Sequence, residues 1–224
     1  MQKMKYTVRP MRDEDIIQVV EIDHEAFCNE WPRPTYASFK RELRNRIAHY
    51  LVVCEPHESA PQKAKVEPDS RGLRKLFPWF KKSFDHDRFF DKQIHSTSSA
   101  PRILGFAGFW IMANEAHLTT IAVRETHRRQ GLAEGLLISV IDLATQLKAR
   151  IVTLEVRISN KIAQSLYEKH GFHLVKVQSG YYVNDGEDGL FRSTDDITST
   201  SFQSKFEELK RTYIKNNRER IHLL

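Results

Sequence analysis

The chain has 224 residues and a net charge of +6, from 35 Lys and Arg against 29 Asp and Glu. With 40% hydrophobic and 29% charged residues it has the balance of a soluble globular protein, which excludes disordered and fibrous classes. The length suits one ordinary domain with an extension, or two small domains.

No apolar run approaches the roughly 18 residues of a membrane span. The opening MQKMKYTVRP lacks the apolar stretch of a secretory signal. A cytoplasmic protein is therefore expected. Cys28 and Cys54 form neither a disulfide framework nor a four-ligand zinc site. Beside Phe27 and Val52-Val53 they read as reduced thiols packed in a core.

In chain order, Tyr6–Pro10 alternates as a short strand. A helix is expected from Asp13 to Phe27, capped by Asp13, with Ile16, Val19, Val20 and Phe27 on one face. Trp31-Pro-Arg-Pro34 breaks it. A second helix runs from Tyr36 to Arg46, with Phe39 and Leu43 four apart, and Tyr50–Cys54 is a strand. Residues 55–101, rich in Pro, Ser, His and charge, read as an insertion. Within it Arg71–Phe84 mixes bulky apolar and basic residues, although Pro78 would kink a helix there.

Order resumes with strands Ile103–Met112 and Ala116–Val123, joined by a turn at Ala113-Asn114-Glu115. Gly131–Lys148 is a helix with Leu132, Leu136, Val140, Ala144 and Leu147 on one stripe. Ile151–Val156 is a central strand, and Lys161–His170 a helix closed by Gly171. Phe172–Val177 and Gly189–Arg192 are late strands around a loop. A last helix starts near Ser204, with Ser204 and Glu207 as a capping box and Phe202, Phe206, Leu209 and Tyr213 on one face. The pattern, an antiparallel meander followed by βαβ crossovers, predicts an α/β mixed sheet with helices on both faces.

Two stretches bear on chemistry. After the strand ending at Val123 comes Arg128-x-x-Gly131-x-Ala133 and a helix. Small residues there let backbone N–H groups and the helix dipole meet phosphate oxygens, with Arg128 and Arg129 adding charge. The alternative is a solvated basic turn. In the second stretch, Glu155 sits within an apolar strand, where an acid must be paired or used. Either it pairs with an Arg such as Arg157, or it reacts. Asn160 starts the next helix, and Tyr167, seven residues on, either packs in the core or shares that site. The ten histidines are scattered; His127 and His170 read as surface or helix-end residues.

Together the two stretches resemble the GNAT superfamily of acetyl-CoA-dependent N-acetyltransferases, and within it the ribosomal-protein-alanine group (RimI type). The signs are Val8-Arg-Pro-Met11 with Asp15-Ile16, Thr120-Ile-Ala-Val123, Leu154-Glu-Val-Arg157, Asn160, Leu166-Tyr-Glu-Lys-His-Gly-Phe172, and Tyr181-Tyr182 before Glu187-Asp188. The resemblance spans roughly 130 residues outside the insertion and tail. It implies a GNAT fold with a mostly antiparallel N-terminal half and a central splayed parallel strand pair. It also implies one such domain over 1–197, interrupted at 55–101, with a helical extension over 198–224.

The resemblance implies roles as well. Acetyl-CoA would lie along the backbone of Ile121, Ala122 and Val123. Its pyrophosphate would be held by Arg128, Arg129, Gln130, Gly131, Leu132, Ala133 and Glu134, and Asn160 would touch it. Glu155 would be the general base and Tyr167 the general acid. Trp31, Tyr181 and Tyr182 would line the acceptor groove. No metal is implied. The acceptor would be a protein N-terminus, possibly of a ribosomal protein; a small amine or a lysine side chain is the alternative. Gly189 stands where the family often has Ala.

The charge is unevenly placed. Residues 71–84 carry +5 and 201–224 carry +3, leaving −2 for the rest. The basic insertion suits weak contact with an anionic surface, RNA or membrane, or packing on the domain. A non-catalytic docking module on this scaffold is the reading from another class. DNA is not an expected partner, since a cofactor's phosphates account for Arg128 and Arg129.

Overall fold

The computed structural model describes residues 6–28, 32–55, 100–217 and 221–223. Trp31 and the basic 71–84 segment lie outside the described residues. The elements are β1 (Tyr6–Pro10), α1 (Ile16–Ala26), α2 (Tyr36–Glu42), β2 (Ala48–Cys54), β3 (Ile103–Met112), β4 (Glu115–Val123) and α3 (Leu132–Gln146). They continue with β5 (Ile151–Arg157), α4 (Lys161–Lys169), β6 (His173–Tyr182), β7 (Glu187–Ser193), α5 (Thr200–Asn217) and β8 (Ile221–His222).

The strands form one mixed sheet in the order β6-β7-β5-β4-β3-β2-β1-β8. Strands β1 to β4 are antiparallel neighbours, β4 and β5 run parallel, and β7 pairs antiparallel with both β5 and β6. Period-two alternation sends side chains to opposite faces. Leu51 and Val53 join α3 and α5 on one side, while Val52 and Cys54 join α1 and α2 on the other. Helices thus cover both faces, and β5 lies inside the sheet. No described helix is long and apolar enough to cross a membrane.

A bulge in β4 positions the site. Phe109 pairs with Leu118 and Gly108 with Thr120, so Thr119 is an extra residue, and its hydroxyl donates to the Gly108 carbonyl at 2.9 Å. The parallel ladder with β5 ends at Leu118–Leu154, while β4 stays paired to β3 as far as Val123. From Thr119 onward the two strands part.

Several sequence expectations need correction. The first helix starts at Ile16, after a 3-10 turn over Asp13–Asp15. The residue that organises its start is Asp15, not Asp13. The buried Asp15 carboxylate accepts from the Arg12 N–H at 2.8 Å and from the Arg9 guanidinium at 2.7 and 2.8 Å. Helix α2 stops at Glu42, short of Arg46. Leu147 is the exposed C-cap of α3 rather than part of its buried stripe. Strand β6 continues through Tyr182, well past Val177.

The last helix begins at Thr200. Ser199, not Ser204, accepts from the Phe202 N–H at 3.3 Å, because Phe202 must sit in the first turn to reach the core. The tail is not all helix either: β8 pairs with β1 through Tyr6–Ile221 and Thr7–His222. Finally, Cys28 is exposed, and only Cys54 is a core thiol.

The Arg9–Asp15 pair ties β1 to the start of α1. Removing one partner strands a buried charge, so Asp15→Ala should cost about 3–5 kcal/mol. A urea midpoint equal to that of the wild-type protein would show that the pair is dispensable.

Candidate active site

Where β4 and β5 part, a cleft of about 780 Å³ opens. One wall is Thr119, Thr120, Ile121, Glu155, Val156 and Asn160, continued by Tyr167 of α4 and by Tyr181 and Tyr182 of β6. The other holds Phe27, Pro34, Phe39 and Glu42 from α1, α2 and their connection, with Tyr50 and Trp110. Glu155 and Tyr167 therefore face one space, although they come from a strand and a helix.

Strand alternation explains Glu155. Leu154 and Val156 point into the core with α3, so Glu155 points to the opposite face. Its side chain is one-fifth exposed, and Oε2 lies 3.2 Å from His117 Nε2. Arg157 is not its partner. That guanidinium binds Asp185 at 2.9 Å, Glu187 at 2.9 Å and Asn184 at 3.2 Å, and lies 3.9 Å above the Tyr182 ring. The Ser159 and Arg157 contacts hold the Glu187 carboxyl down at about 2. Tyr167 is buried against Phe172, with ring centroids 5.7 Å apart. Burial, reinforced by Tyr182, pushes its hydroxyl above the ordinary tyrosine range, so it keeps its proton.

The Arg124 N–H bonds to the Leu104 carbonyl at 2.8 Å. By antiparallel alternation the backbone groups of Ile121 and Val123 then face away from β3, into the gap. The Val123 side chain is buried, so that residue has only backbone to offer, while the backbone groups of the buried Ala122 face β3. Past the strand, Arg128 and Arg129 are exposed, and Gly131 takes φ +80° as the N-cap of α3. That left-handed value favours glycine, and it leaves the first N–H groups of a 15-residue helix open.

The rest of this loop is tied inward. Gln130 accepts from the Tyr6 hydroxyl at 3.2 Å, and Leu132 is buried. Glu134 binds Lys169 at 2.5 Å and the buried His170 at 3.1 Å. Those contacts, the His170 hydrogen bond foremost, hold the Glu134 carboxyl below its usual range. Its side chain is thus spent on α4. Asn160 caps α4, its Oδ1 accepting from the Ala163 N–H at 3.1 Å. Among the described residues no cluster could hold a metal ion.

Glu155 and Tyr167 thus share the cleft opened by the splayed strands, and the open edge of β4 leads into the basic loop before α3. Residues 57–172 match the profile of the Acetyltransferase (GNAT) family. The chain is 31% identical over 188 residues to the putative [ribosomal protein bS18]-alanine N-acetyltransferase of Bacillus subtilis, covering 84% of this chain and 94% of that one. The chain belongs to the GNAT family of acetyltransferases. An N-alpha-acetyltransferase of Saccharolobus solfataricus is 45% identical over 78 residues, covering 34% of this chain and 46% of that protein. The crystal structure of the ribosomal-protein-S18-alanine N-acetyltransferase from Escherichia coli shares the fold, with a TM-score of 0.57 at 20% identity, covering 85% of this chain and 94% of that chain.

GNAT acetyltransferases use acetyl-CoA, and the site fits it. The Ile121 and Val123 backbone lacks a β5 partner, and Gly131 opens α3 beside two exposed arginines. Two contributors escaped the sequence reading. His117 lies level with Thr153 across the parallel ladder, and no sequence signal sets that register. Tyr213 of α5 donates to the Gly131 carbonyl at 3.0 Å, so the tail buttresses the loop.

Gly189 also gains a reason. A Cβ there would meet Tyr181 Cδ1 at 2.7 Å. Two extra residues in β6 between Gln178 and Tyr182 bring the Tyr181 ring over Gly189 and edge-on to Phe191, at 5.0 Å between centroids. Gly189→Ala should push that ring away and cost about 1–3 kcal/mol. A crystal structure and a denaturation curve check this; an unmoved Tyr181 at unchanged stability contradicts it.

Proposed function

We propose that this chain moves the acetyl group of acetyl-CoA to the α-amino group of a protein N-terminus by direct attack. The observation that carries the reading is that Glu155 and Tyr167 line one cleft where β4 and β5 part. The neutral amine attacks the thioester carbonyl, the C–N bond forms, and the C–S bond breaks. Glu155 takes the amine proton. Tyr167, kept protonated by burial, gives its proton to the departing thiolate.

An α-amine has a pKa near 8 against about 10.4 for lysine, so a carboxylate base has a light task with a peptide N-terminus. The backbone of Ile121, Ala122 and Val123 runs along the cosubstrate. Arg128 and Arg129 and the N–H groups from Gln130 to Glu134 hold its pyrophosphate, and the Asn160 amide lies beside it. Tyr181 and Tyr182 form the acceptor side.

The acceptor side carries Asp23, Glu42, Asp185 and Glu187, and with Glu155 these carboxylates outnumber Arg33 and Arg157 in the cleft. This favours a cationic acceptor. Ribosomal proteins are basic, and the Bacillus subtilis relative is named for alanine acetylation of one of them. A cytoplasmic ribosomal protein with a small first residue is the acceptor class proposed.

Purified enzyme should acetylate Ala-starting basic peptides in preference to polyamines and internal-lysine peptides, and a deletion strain should lack one N-terminal acetyl group by mass spectrometry. Faster turnover of polyamines or internal lysines overturns the acceptor assignment. Glu155→Gln and Tyr167→Phe should each lower kcat by about 10²–10⁴ with acetyl-CoA affinity kept. Wild-type turnover in both variants would remove the assigned roles.

A further inference from the structure

Glu155 ends a chain of polar side chains that crosses from β5 to β4 and back. The Thr153 hydroxyl is in short hydrogen-bond contact with Glu115 Oε1, and Thr153 Oγ1 lies 2.9 Å from His117 Nδ1. His117 Nε2 lies 3.2 Å from Glu155 Oε2. The register allows this, because Glu115 and His117 are two apart on β4, Thr153 and Glu155 are two apart on β5, and His117 faces Thr153.

Donor bookkeeping decides the state of the ring. A carboxylate only accepts, so the Thr153 proton goes to Glu115. The Thr153 oxygen then presents lone pairs to Nδ1, which must carry a hydrogen. Glu155 likewise only accepts, so Nε2 must carry one too. A histidine that donates from both nitrogens is an imidazolium.

The geometry points to His117 as a positioning residue of the transfer reaction: its imidazolium holds Glu155 ionised and aimed into the cleft. This rests on Glu155 being the base. A carboxylate on an apolar strand without a countercharge tends to take up a proton and lose its use as a base. Here the contact engages Oε2 and leaves Oε1 for the proton of the incoming amine.

The surroundings agree. Glu115 faces the ring from β4, and Thr153 and Glu155 from β5. From β3, Trp110 pairs with His117 and gives its indole N–H to Glu42 of α2. Arg157, next on that face of β5, is engaged by Asp185 and Glu187. Tyr181 of β6 stands near Glu155 as a raised, neutral phenol. The Glu155 hydrogen bond leads the effects that raise the His117 pKa, and it outweighs burial.

The test uses the full chain with acetyl-CoA and an Ala-starting peptide, both saturating. In His117→Leu, kcat should fall about tenfold or more, and the acid limb of its pH profile should move alkaline by about one unit, a tenfold change in proton affinity. The acetyl-CoA dissociation constant should stay unchanged. His117→Gln, which restores an N–H donor without the charge, should recover part of kcat and less of the pH shift.

Imidazole NMR supplies a readout that needs no variant at His117. In the wild-type protein His117 should titrate above the ordinary value near 6.5, and in Glu155→Gln it should fall back. An unmoved acid limb in His117→Leu, or a His117 that titrates normally in the wild-type protein, overturns the positioning role. Full activity of Glu155→Gln removes the base assignment and this role with it. An inactive Glu155→Gln beside an unmoved His117→Leu profile removes the positioning role alone.

Discussion

The structure turns on one extra residue in a strand. Thr119 has no opposite number on β3, and its bulge changes the direction of β4 just where the ladder with β5 ends. Before the bulge, β4 and β5 form an ordinary parallel pair over a packed core. After it, Ile121 and Val123 stay beside β3 but have no partner on β5, and the Val123 carbonyl accepts from Arg128 Nε at 3.4 Å. Unpaired backbone donors and acceptors inside a sheet are costly unless something polar meets them. A linear ligand with amide groups of its own meets that demand, and the pantetheine arm of acetyl-CoA is such a ligand. The same parting of strands lets the Glu155 side chain line the cleft beside His117.

The supports for the site come from far along the chain. Gly131 is held by Tyr213, and a side chain on Gly131 would come within 3.4 Å of Asn217. Lys210 of α5 binds Asp142 of α3 at 2.5 Å, and Phe202 and Phe206 enter the same core cluster as α3. Helix α5 therefore fixes the N-terminal end of α3. On the β6–β7 side of the cleft, Arg157 gathers Asn184, Asp185 and Glu187 around the Tyr182 ring. One guanidinium thus orders the turn between β6 and β7, so Tyr181 and Tyr182 reach the cleft from a braced hairpin.

What was legible in the sequence was local. β3 is an unbroken apolar run, and α4 is bracketed by an Asn cap and a glycine at φ +86°. Both were found almost to the residue. The errors share a different cause, in that each depends on a partner distant in the chain. Asp15 rather than Asp13 anchors α1 because Arg9 of β1 reaches it. Helix α5 begins early because Phe202 has a core position to fill. Strand β8, only two residues long, exists because β1 offers an edge. In the site, Glu155 stood out as an acid in an apolar strand. Its partner His117 did not, because the register of a parallel pair is written in neither strand.

The chain carries a net charge of +6, yet among the described charged residues that line the cleft carboxylates outnumber arginines. Past Val123, before α3, stand the exposed cations Arg128 and Arg129. The splayed pair therefore runs between a cationic loop and an acidic mouth. An anionic cosubstrate and a cationic amine acceptor each gain by entering in one orientation and lose by the reverse, since like charges would then be opposed. On the proposed reading this polarity brings thioester and amine together from opposite sides of the sheet gap. Glu155 and Tyr167 stand between the two ends, and the acidic mouth that draws in an ammonium group still needs a base to make it a nucleophile.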